Sequence, residues 1–185
     1  MNIISKCQIF DGKIILNDKE VFINKNNDTI KDFLIASYRY FNISYPKFFK
    51  MDNLSKAGFI ASELILKDFF EANKIDKEKF GMIFSNSVSS LDTDINFQET
   101  IKNPDNYFPS PAIFVYTLAN IVMGEIAIRH SITGHNTFFI DNEFDYKKLM
   151  QYTQILKSNT IISHSLCAWI DCIGERLDVN MFLVE

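Results

Sequence analysis

The residues with the clearest chemical potential lie in residues 134–145, where three carboxylates occur close together. The stretch predicts a turn at Gly134, a short buried strand, an acidic tip and a helix that begins at Tyr146. A strand that delivers a polar residue onto the first turn of a helix is a common way to present a nucleophile. The tip carries Asp141 and Glu143 and has neither cysteine nor serine, so it offers a carboxylate where a thiolate or alkoxide is expected.

Glu143 has two interpretations. Carboxylates stabilise helix N-termini through the helix dipole, so the residue is interpretable as a solvated acid at a helix start. The second interpretation is a functional acid, alone or as an acid–base pair with Asp141. That pair straddles the end of a strand, where residues two apart no longer point the same way. Both interpretations remain open.

Other candidates for nucleophile, metal or cofactor sites are weaker. His164 and Cys167 are three residues apart, and such positions on a strand point to opposite faces, which argues against a Cys–His dyad. Together with Cys7 and Cys172 there are three cysteines, an odd number at spacings unlike a zinc site. No glycine-rich phosphate-binding loop is present. We therefore expect no metal and no cofactor.

Composition narrows the class of protein. A chain of 185 residues is predicted to form one domain, residues 1–185, that is large enough to bury a core. The formal net charge of -4 gives no electrostatic reason to expect a nucleic-acid partner. No apolar run approaches the roughly 20 residues that span a bilayer. With no secretory signal, we expect a cytoplasmic protein with reduced thiols.

Apolar runs and chain breaks predict alternating strands and helices. The expected elements are short strands with an Asp11-Gly12 hairpin in residues 2–23, helices over 30–40, 54–69, 91–101, 112–130 and 146–156, and strands over 80–84, 137–141, 160–170 and 179–184. Within the long helix, Gly124 is predicted to pack closely against another backbone, because glycine there costs about 1 kcal/mol relative to alanine. The pattern predicts an α/β fold, a mixed sheet with helices on both faces, with parallel first strands and an antiparallel last strand.

Four motifs, taken in order, carry a family resemblance. They are Met51-Asp52-Asn53-Leu54-Ser55-Lys56 leading into a helix, Gly81-Met82-Ile83-Phe84-Ser85-Asn86 as strand and loop, Phe108-Pro109-Ser110-Pro111 before a helix with Asn120 and Gly124, and Ile132-Thr133-Gly134-His135-Asn136. Over about residues 45–185 the chain resembles the N-terminal half of the β-ketoacyl synthases. Residues 45–52 are also similar to synthase-like proteins of aryl-polyene and flexirubin-type pigment clusters. The resemblance implies half of a thiolase fold, a five-stranded mixed sheet with helices on both faces.

Two departures from the family pattern bear on activity. Counting from Gly134, the nucleophilic cysteine of the family falls at Glu143. The two catalytic histidines of the family come from a second half that this sequence lacks, and His130, His135 and His164 match neither. The resemblance therefore implies a synthase-like protein without condensing activity.

The resemblance also implies partners. A related protein in iterative polyketide systems has lost the cysteine yet dimerises with an active synthase and shapes the cavity for the growing chain. Synthase dimers pair sheets edge to edge through the strand before the nucleophile, which here comprises Thr137, Phe138, Phe139, Ile140 and Asp141. We expect a homodimer or a heterodimer with a ketoacyl synthase. The aromatic excess, 18 Phe and 7 Tyr, is consistent with exposed apolar surface.

The basic residues Lys47, Lys50 and Lys56 lie beside several aromatics and are candidates for docking an acidic acyl carrier protein. The simpler interpretation of these residues is an ordinary amphipathic approach to a helix.

The leading functional hypothesis is a structural or chain-length-shaping partner in fatty-acid, polyketide or aryl-polyene assembly. One alternative is a small thioester hydrolase or decarboxylase that uses the acidic tip at Glu143. Another is a stand-alone module that binds acyl groups or acyl carrier protein.

Overall fold

A computed structural model describes residues 1–24 and 29–185 as one seven-stranded sheet with six α-helices. The strands are β1 (Ile3–Phe10), β2 (Lys13–Leu16), β3 (Lys19–Ile23), β4 (Phe80–Asn86), β5 (Asn136–Ile140), β6 (His164–Ile173) and β7 (Arg176–Val184). The helices are α1 (Ile30–Tyr40), α2 (Asn53–Ala72), α3 (Leu91–Ile101), α4 (Pro111–Phe114), α5 (Ile121–His130) and α6 (Tyr146–Ser158). None of these helices is long and apolar enough to cross a membrane.

The sheet is mixed, as predicted, but it is wider than five strands. Its order is β3-β2-β1-β7-β6-β4-β5. Strands β5, β4 and β6 are parallel, whereas β7 is antiparallel to both β6 and β1. The predicted count of five was wrong because β2 and β3, which follow the Asp11-Gly12 turn, extend the sheet beyond β1. The turn itself is confirmed: Asp11 and Gly12 both have left-handed φ angles of 47° and 68°.

Short polar side chains begin the main helices. Thr29 accepts a hydrogen bond from the backbone N–H of Asp32 at the start of α1. Asp52 does the same for Ser55 at the start of α2, at 2.9 Å. The sequence favours Asp28 or Thr29 as the cap of α1 and Asp52 or Asn53 as the cap of α2; Thr29 and Asp52 take these positions, and Asp28 lies outside the described residues. These caps satisfy N–H groups that a helix leaves free at its first turn.

Helices cover both faces of the sheet, as expected. On one face, α1, α2 and α5 pack with β1, β4, β6 and β7 around the larger core. On the other face, α6 places Leu149 and Leu156 against Ile83, Cys167 and Phe182. This alternation follows from the period of two along a strand: Cys167 and Phe182 face α6 while their neighbours Leu166 and Met181 belong to the larger core.

The prediction of one buried helix over residues 112–130 was wrong. The chain forms the short helix α4, an irregular turn over residues 115–120, and then α5. The break lets the buried Tyr116 hydroxyl donate to Glu125 Oε1 at 3.1 Å. Much of the stretch is exposed, including Phe114 at 59% and Leu118 at 61%. Hydrophobicity alone therefore predicted burial that the fold does not provide.

The predicted close approach at Gly124 was also wrong, because a Cβ atom there would meet nothing within 4 Å. The tight glycine is Gly58 on α2, where a Cβ atom would lie 2.5 Å from Val122 Cγ2 and 2.8 Å from Ile170 Cδ1. Gly58 thus lets α2 approach both α5 and the sheet closely.

Candidate functional site

The acidic tip lies at a corner between sheet and helix. Strand β5 ends at Ile140, residues 141–145 turn, and α6 begins at Tyr146 with Asp145 as its cap, accepting from Lys148 N at 3.0 Å. Glu143 lies inside this turn with its side chain exposed. It makes no hydrogen bond or ion pair with any residue in the part of the chain that the structure describes.

Asp141 has a different role from Glu143. Its N–H donates to Asn86 O at 2.9 Å, which continues the ladder between β4 and β5, and its carboxylate forms an ion pair with Lys148. The lysine neutralises Asp141 and holds α6 against the end of the strand. The acid–base pair of Asp141 and Glu143 therefore gains no support from the geometry.

A cleft of about 240 Å³ opens beside Glu143, and we call it the corner cleft. Its lining residues come from the ends of β4, β6 and β7 and from the corner itself: Ser87, Asn142, Glu143, Phe144, Trp169, Asp171, Arg176 and Asp178. The carboxyl ends of parallel strands often carry ligand sites in open α/β sheets. The corner cleft lies where the acidic tip was predicted to act, so it is the candidate functional site.

Asp171 organises one wall of the corner cleft. It is 2% exposed and accepts hydrogen bonds from both the N–H and the hydroxyl of Ser87, each at 2.9 Å. Arg176 donates to its other oxygen. Asp171 and Arg176 were not predicted as site residues, because the strand was predicted to end at residue 170. The sequence did contain a signal, since Asp171 follows directly on a strongly apolar run. A fold buries such an acid only when partners compensate its charge.

A second hydrogen-bonded chain runs along the same face of the sheet. Trp169 Nε1 donates to Asp178 Oδ2 at 3.1 Å, and Asn180 donates to Oδ1 of the same carboxylate at 2.9 Å. Gln8 then donates to Asn180 Oδ1 at 2.7 Å. Burial raises the pKa of Asp178, and the charge of Asp171 raises it further, although the bonds from Trp169 and Asn180 oppose this.

The corner cleft contains no activated nucleophile. Ser87 donates its hydroxyl proton to Asp171, and no histidine or cysteine lines the cleft. Burial raises the pKa of the Cys7 and Cys172 thiols to about 12, far from the range of a reactive thiolate. Within the described ranges, no group of three or more His, Cys, Asp or Glu side chains could hold a metal ion. The lining residues of the cleft can bind and orient groups by hydrogen bonding.

The predicted separation of His164 and Cys167 is confirmed. The His164 ring contacts Phe69 on the face covered by α2. Cys167 lies on the α6 face, where its sulfur is 3.2 Å from Thr153 Oγ1. The two side chains cannot act as a dyad.

The structure places the three lysines predicted to dock a carrier protein in different environments. Lys47 forms an ion pair with the buried Glu125 at 2.7 Å. Lys56 is 4% exposed and donates to the Met51 carbonyl. Lys50 is exposed and has no partner among residues 1–24 and 29–185. They do not form one basic surface, and carrier-protein docking stays a prediction.

Strand β5 is an edge of the sheet and offers free backbone groups. Met82 N donates to His135 O, and Asp141 N donates to Asn86 O. In a parallel ladder alternate residues bond to the neighbour, so 135, 137, 139 and 141 face β4. The N–H and C=O groups of Asn136, Phe138 and Ile140 therefore point away from the sheet. Three outward residues are a template for a further strand.

Comparisons with known proteins support the fold. No protein-family model matches the chain, and no curated protein matches its sequence. Solved structures do match. The ishigamide ketosynthase/chain length factor has a TM-score of 0.74 at 15% identity, and the match covers 99% of this chain and 61% of that one. The chain thus spans about three fifths of the length of this relative.

Two further complexes match with a TM-score of 0.63. One is the ketosynthase ApeO with its chain length factor ApeC from Xenorhabdus doucetiae, at 8% identity over all of this chain and 78% of that one. The other is AntDE:AntF, a type II PKS acyl-carrier protein in complex with its ketosynthase, at 13% identity over 99% of this chain and 61% of that one. The chain therefore has the thiolase-like fold that the ketosynthase and chain length factor structures share.

Proposed function

We propose that this protein is a ketosynthase-like partner that does not itself condense acyl groups. It would assemble with a ketosynthase and shape or support the site in which a fatty-acid, polyketide or aryl-polyene chain grows. The observation that carries the proposal is Glu143, an exposed acid with no partner among the described residues, at the corner where the resemblance places the nucleophilic cysteine.

The chemistry of a carboxylate explains why Glu143 would not support the condensation of acyl groups. A thiolate at the corner forms a thioester, which is stable to water yet transfers its acyl group to a carbanion. An acyl group on Glu143 would be a mixed anhydride, which water hydrolyses quickly. The corner cleft also lacks a histidine to act as acid or base. A hydrolase or decarboxylase needs a positioned general base, and Glu143 has no neighbour that holds it in place.

The free edge of β5 supports pairing with a partner sheet. Antiparallel addition of the partner's strand would satisfy the outward backbone groups of Asn136, Phe138 and Ile140. In a symmetric homodimer the two-fold axis would pass beside Phe138, which is the middle of the three. In a heterodimer the ketosynthase supplies the second strand with the same pattern. Ile140, 55% exposed, adds apolar contact at the end of the strand.

Exposed aromatic residues supply further interface area. Four large side chains on α4 and its flanking turns are more than half exposed: Tyr107 at 59%, Phe108 at 73%, Phe114 at 59% and Leu118 at 61%. Such surface is unusual for an isolated protein and is typical of protein–protein contacts. The chain length factors in the matched structures assemble with a ketosynthase, and we transfer that arrangement to this protein.

Two further parts of the proposal concern carrier protein and location. An acyl carrier protein would meet the exposed Lys50 and the half-exposed Lys47, while Lys56 is only 4% exposed and is left out of this docking surface. The three cysteines are free and buried, which suits a reducing compartment, and we propose the cytoplasm.

Strand pairing can be tested with two matched isoleucines on opposite edges of the sheet. Ile140→Lys places a charge at the β5 edge, and Ile23→Lys places one on β3 at the other edge, where Ile23 is 38% exposed. The variants are co-expressed with a ketosynthase from the same source, and the complex is quantified by native mass measurement. Ile140→Lys should reduce complex formation at least about tenfold, since interface charges without partners are costly. Equal retention of the complex by both variants would contradict the proposed edge.

A further inference from the structure

A larger cavity lies away from the corner, and we call it the lysine cavity. It has a volume of about 510 Å³ and lies between α1, α2, α3 and α4. Lys31 on α1, Lys50 before α2 and Lys56 on α2 all line it. This volume falls in the range that holds small organic ligands.

Lys56 is the most unusual of the three amines because it is 4% exposed. Its ammonium donates to the Met51 carbonyl, which is the one acceptor it reaches in the described part of the chain. Burial lowers the pKa of Lys56, the Asp52 carboxylate raises it, and the charge of Lys31 lowers it further. An ammonium has three N–H donors, so two remain available at the wall of the cavity.

The two acids that line the cavity already accept hydrogen bonds, whereas two of the three amines have no partner among the described residues. Asp52 accepts from Ser55 N at 2.9 Å and from the Thr93 hydroxyl at 2.7 Å. Asp92 accepts from Gly174 N at 2.9 Å. Lys31 and Lys50 have no hydrogen bond or ion pair with any described residue. Three ammonium groups against two carboxylates leave one positive charge in excess, and the side-chain amides of Asn53 and Asn96 add neutral donors to the lining.

Five of the other eight lining residues are apolar, whereas Asn53, Thr93 and Asn96 are polar. Met51 is 3% exposed, Tyr116 is 5% exposed, and Ile113 and Phe49 complete the apolar side of the cavity. Phosphate is the anion that several point-charge ammonium groups suit, while an apolar wall suits a hydrocarbon or aromatic body. We propose that the lysine cavity binds a phosphate monoester on a small apolar body, with Lys31, Lys50 and Lys56 around the phosphate.

This proposal uses neither the corner nor the β5 edge, and it shares Lys50 with the carrier-protein docking proposed above. It also differs from surface docking of a carrier protein. Lys31 belongs to the lysine cavity alone, and Lys47, which pairs with Glu125, belongs to the docking prediction alone. Substitution of Lys31 therefore separates the two.

The test measures binding of three small probes to the full chain by calorimetry and by backbone amide NMR. The probes are phenyl phosphate, inorganic phosphate and benzyl alcohol, which supply both features, the anion alone and the ring alone. Phenyl phosphate should bind at least about tenfold more tightly than either of the others, because only it uses both walls. Its amide shifts should centre on Met51, Asn53 and Ile113.

Matched variants locate the site. Lys31→Gln and Lys50→Gln should each weaken phenyl phosphate about threefold to fivefold, as expected for partly exposed charges. Lys56→Met should weaken it at least about tenfold, since its donors are buried. Lys67→Gln, on the exposed face of α2, is the control and should change nothing. If Lys56→Met does not fold, the Lys31 and Lys50 variants still decide the question.

Three results would overturn the inference. These are equal affinity for phenyl phosphate and benzyl alcohol, equal affinity for phenyl phosphate and inorganic phosphate, and equal weakening by Lys67→Gln. Shifts centred on the corner cleft instead of the lysine cavity would overturn it as well.

Discussion

Two glutamates in this protein have opposite surroundings. Glu63 on α2 is 4% exposed and accepts two hydrogen bonds from Arg129 at 2.8 Å each, with His130 Nε2 at 3.0 Å. Glu143 at the corner is exposed and contacts no described partner. The buried acid joins α2 to α5, whereas the corner acid holds nothing together.

The difference shows how the corner keeps its shape. Its geometry depends on the neighbours of Glu143: Asp141 paired with Lys148, Asp145 as the cap of α6, and Asp171 bonded to Ser87. The residue at the tip is free to change without loss of the corner. The proposed function requires this independence, because it needs the shape of the corner to persist while the residue at its tip differs.

The largest expected effect on stability is at Glu63, the buried glutamate of the two. Glu63→Gln removes the charge that Arg129 and His130 surround, and breaking a buried ion pair costs about 3 kcal/mol or more. The free energy of unfolding is measured by urea titration, with Glu71→Gln on the exposed end of α2 as control. A loss below about 0.5 kcal/mol, the level of a surface substitution, would contradict the structural role of Glu63.

Lowering the pH should weaken the same interaction of Glu63 with Arg129 and His130. Burial alone would raise the pKa of Glu63, but hydrogen bonds and charge from His130 and Arg129 lower it from 4.5 to about 2. A depressed folded pKa means that this stabilisation is present above about pH 4.5 and is lost as pH falls toward 2. The stability difference between the wild type and Glu63→Gln should therefore shrink over this interval. A difference that is constant from pH 6 to pH 3 would contradict the assignment.

A smaller effect is expected at the wall of the corner cleft. Asp171→Asn weakens the charge-assisted bonds to Ser87 and Arg176 and should cost about 2 kcal/mol, since the amide remains buried. The amide signals of Ser87 and Asn142 should shift, while those around Glu63 stay unchanged. Unchanged stability would show that the corner does not depend on Asp171.

Substitution of Gly124 is expected to stabilise the protein, unlike the substitutions above. A methyl group there meets no atom within 4 Å, so Gly124→Ala should raise the free energy of unfolding by about 0.5–1 kcal/mol through helix propensity. Gly58→Ala is the matched helical glycine and should destabilise the protein, because its methyl group collides with Val122 and Ile170. Similar losses in both variants would contradict the packing described for α5.

Local signals in the sequence predicted much of the fold. The Asp11-Gly12 turn, the caps at Thr29 and Asp52 and the strand before the corner follow from turn chemistry, capping and apolar runs, whereas the edge position of that strand was implied by the family resemblance. Each of these depends on a few neighbouring residues.

Features that depend on tertiary contacts could not be predicted from these local signals. Whether a glycine is crowded depends on which helix crosses it, so Gly58 and Gly124 look alike in the sequence. Lys56 reads as a surface lysine, although the Met51 carbonyl and Asp52 make its burial tolerable. Asp171 lies outside the predicted strand, because nothing local shows that Ser87, which is 84 residues away in the chain, satisfies its buried carboxylate.

The most direct test of the proposed function is a condensation assay with acyl and malonyl carrier protein. The purified chain alone should form no condensed product, and Glu143→Gln should leave both this result and the stability, within about 0.5 kcal/mol, unchanged. With a ketosynthase added, product should appear, and its chain length should depend on the presence of this protein. Condensed product from the chain alone, lost in Glu143→Gln, would contradict the account.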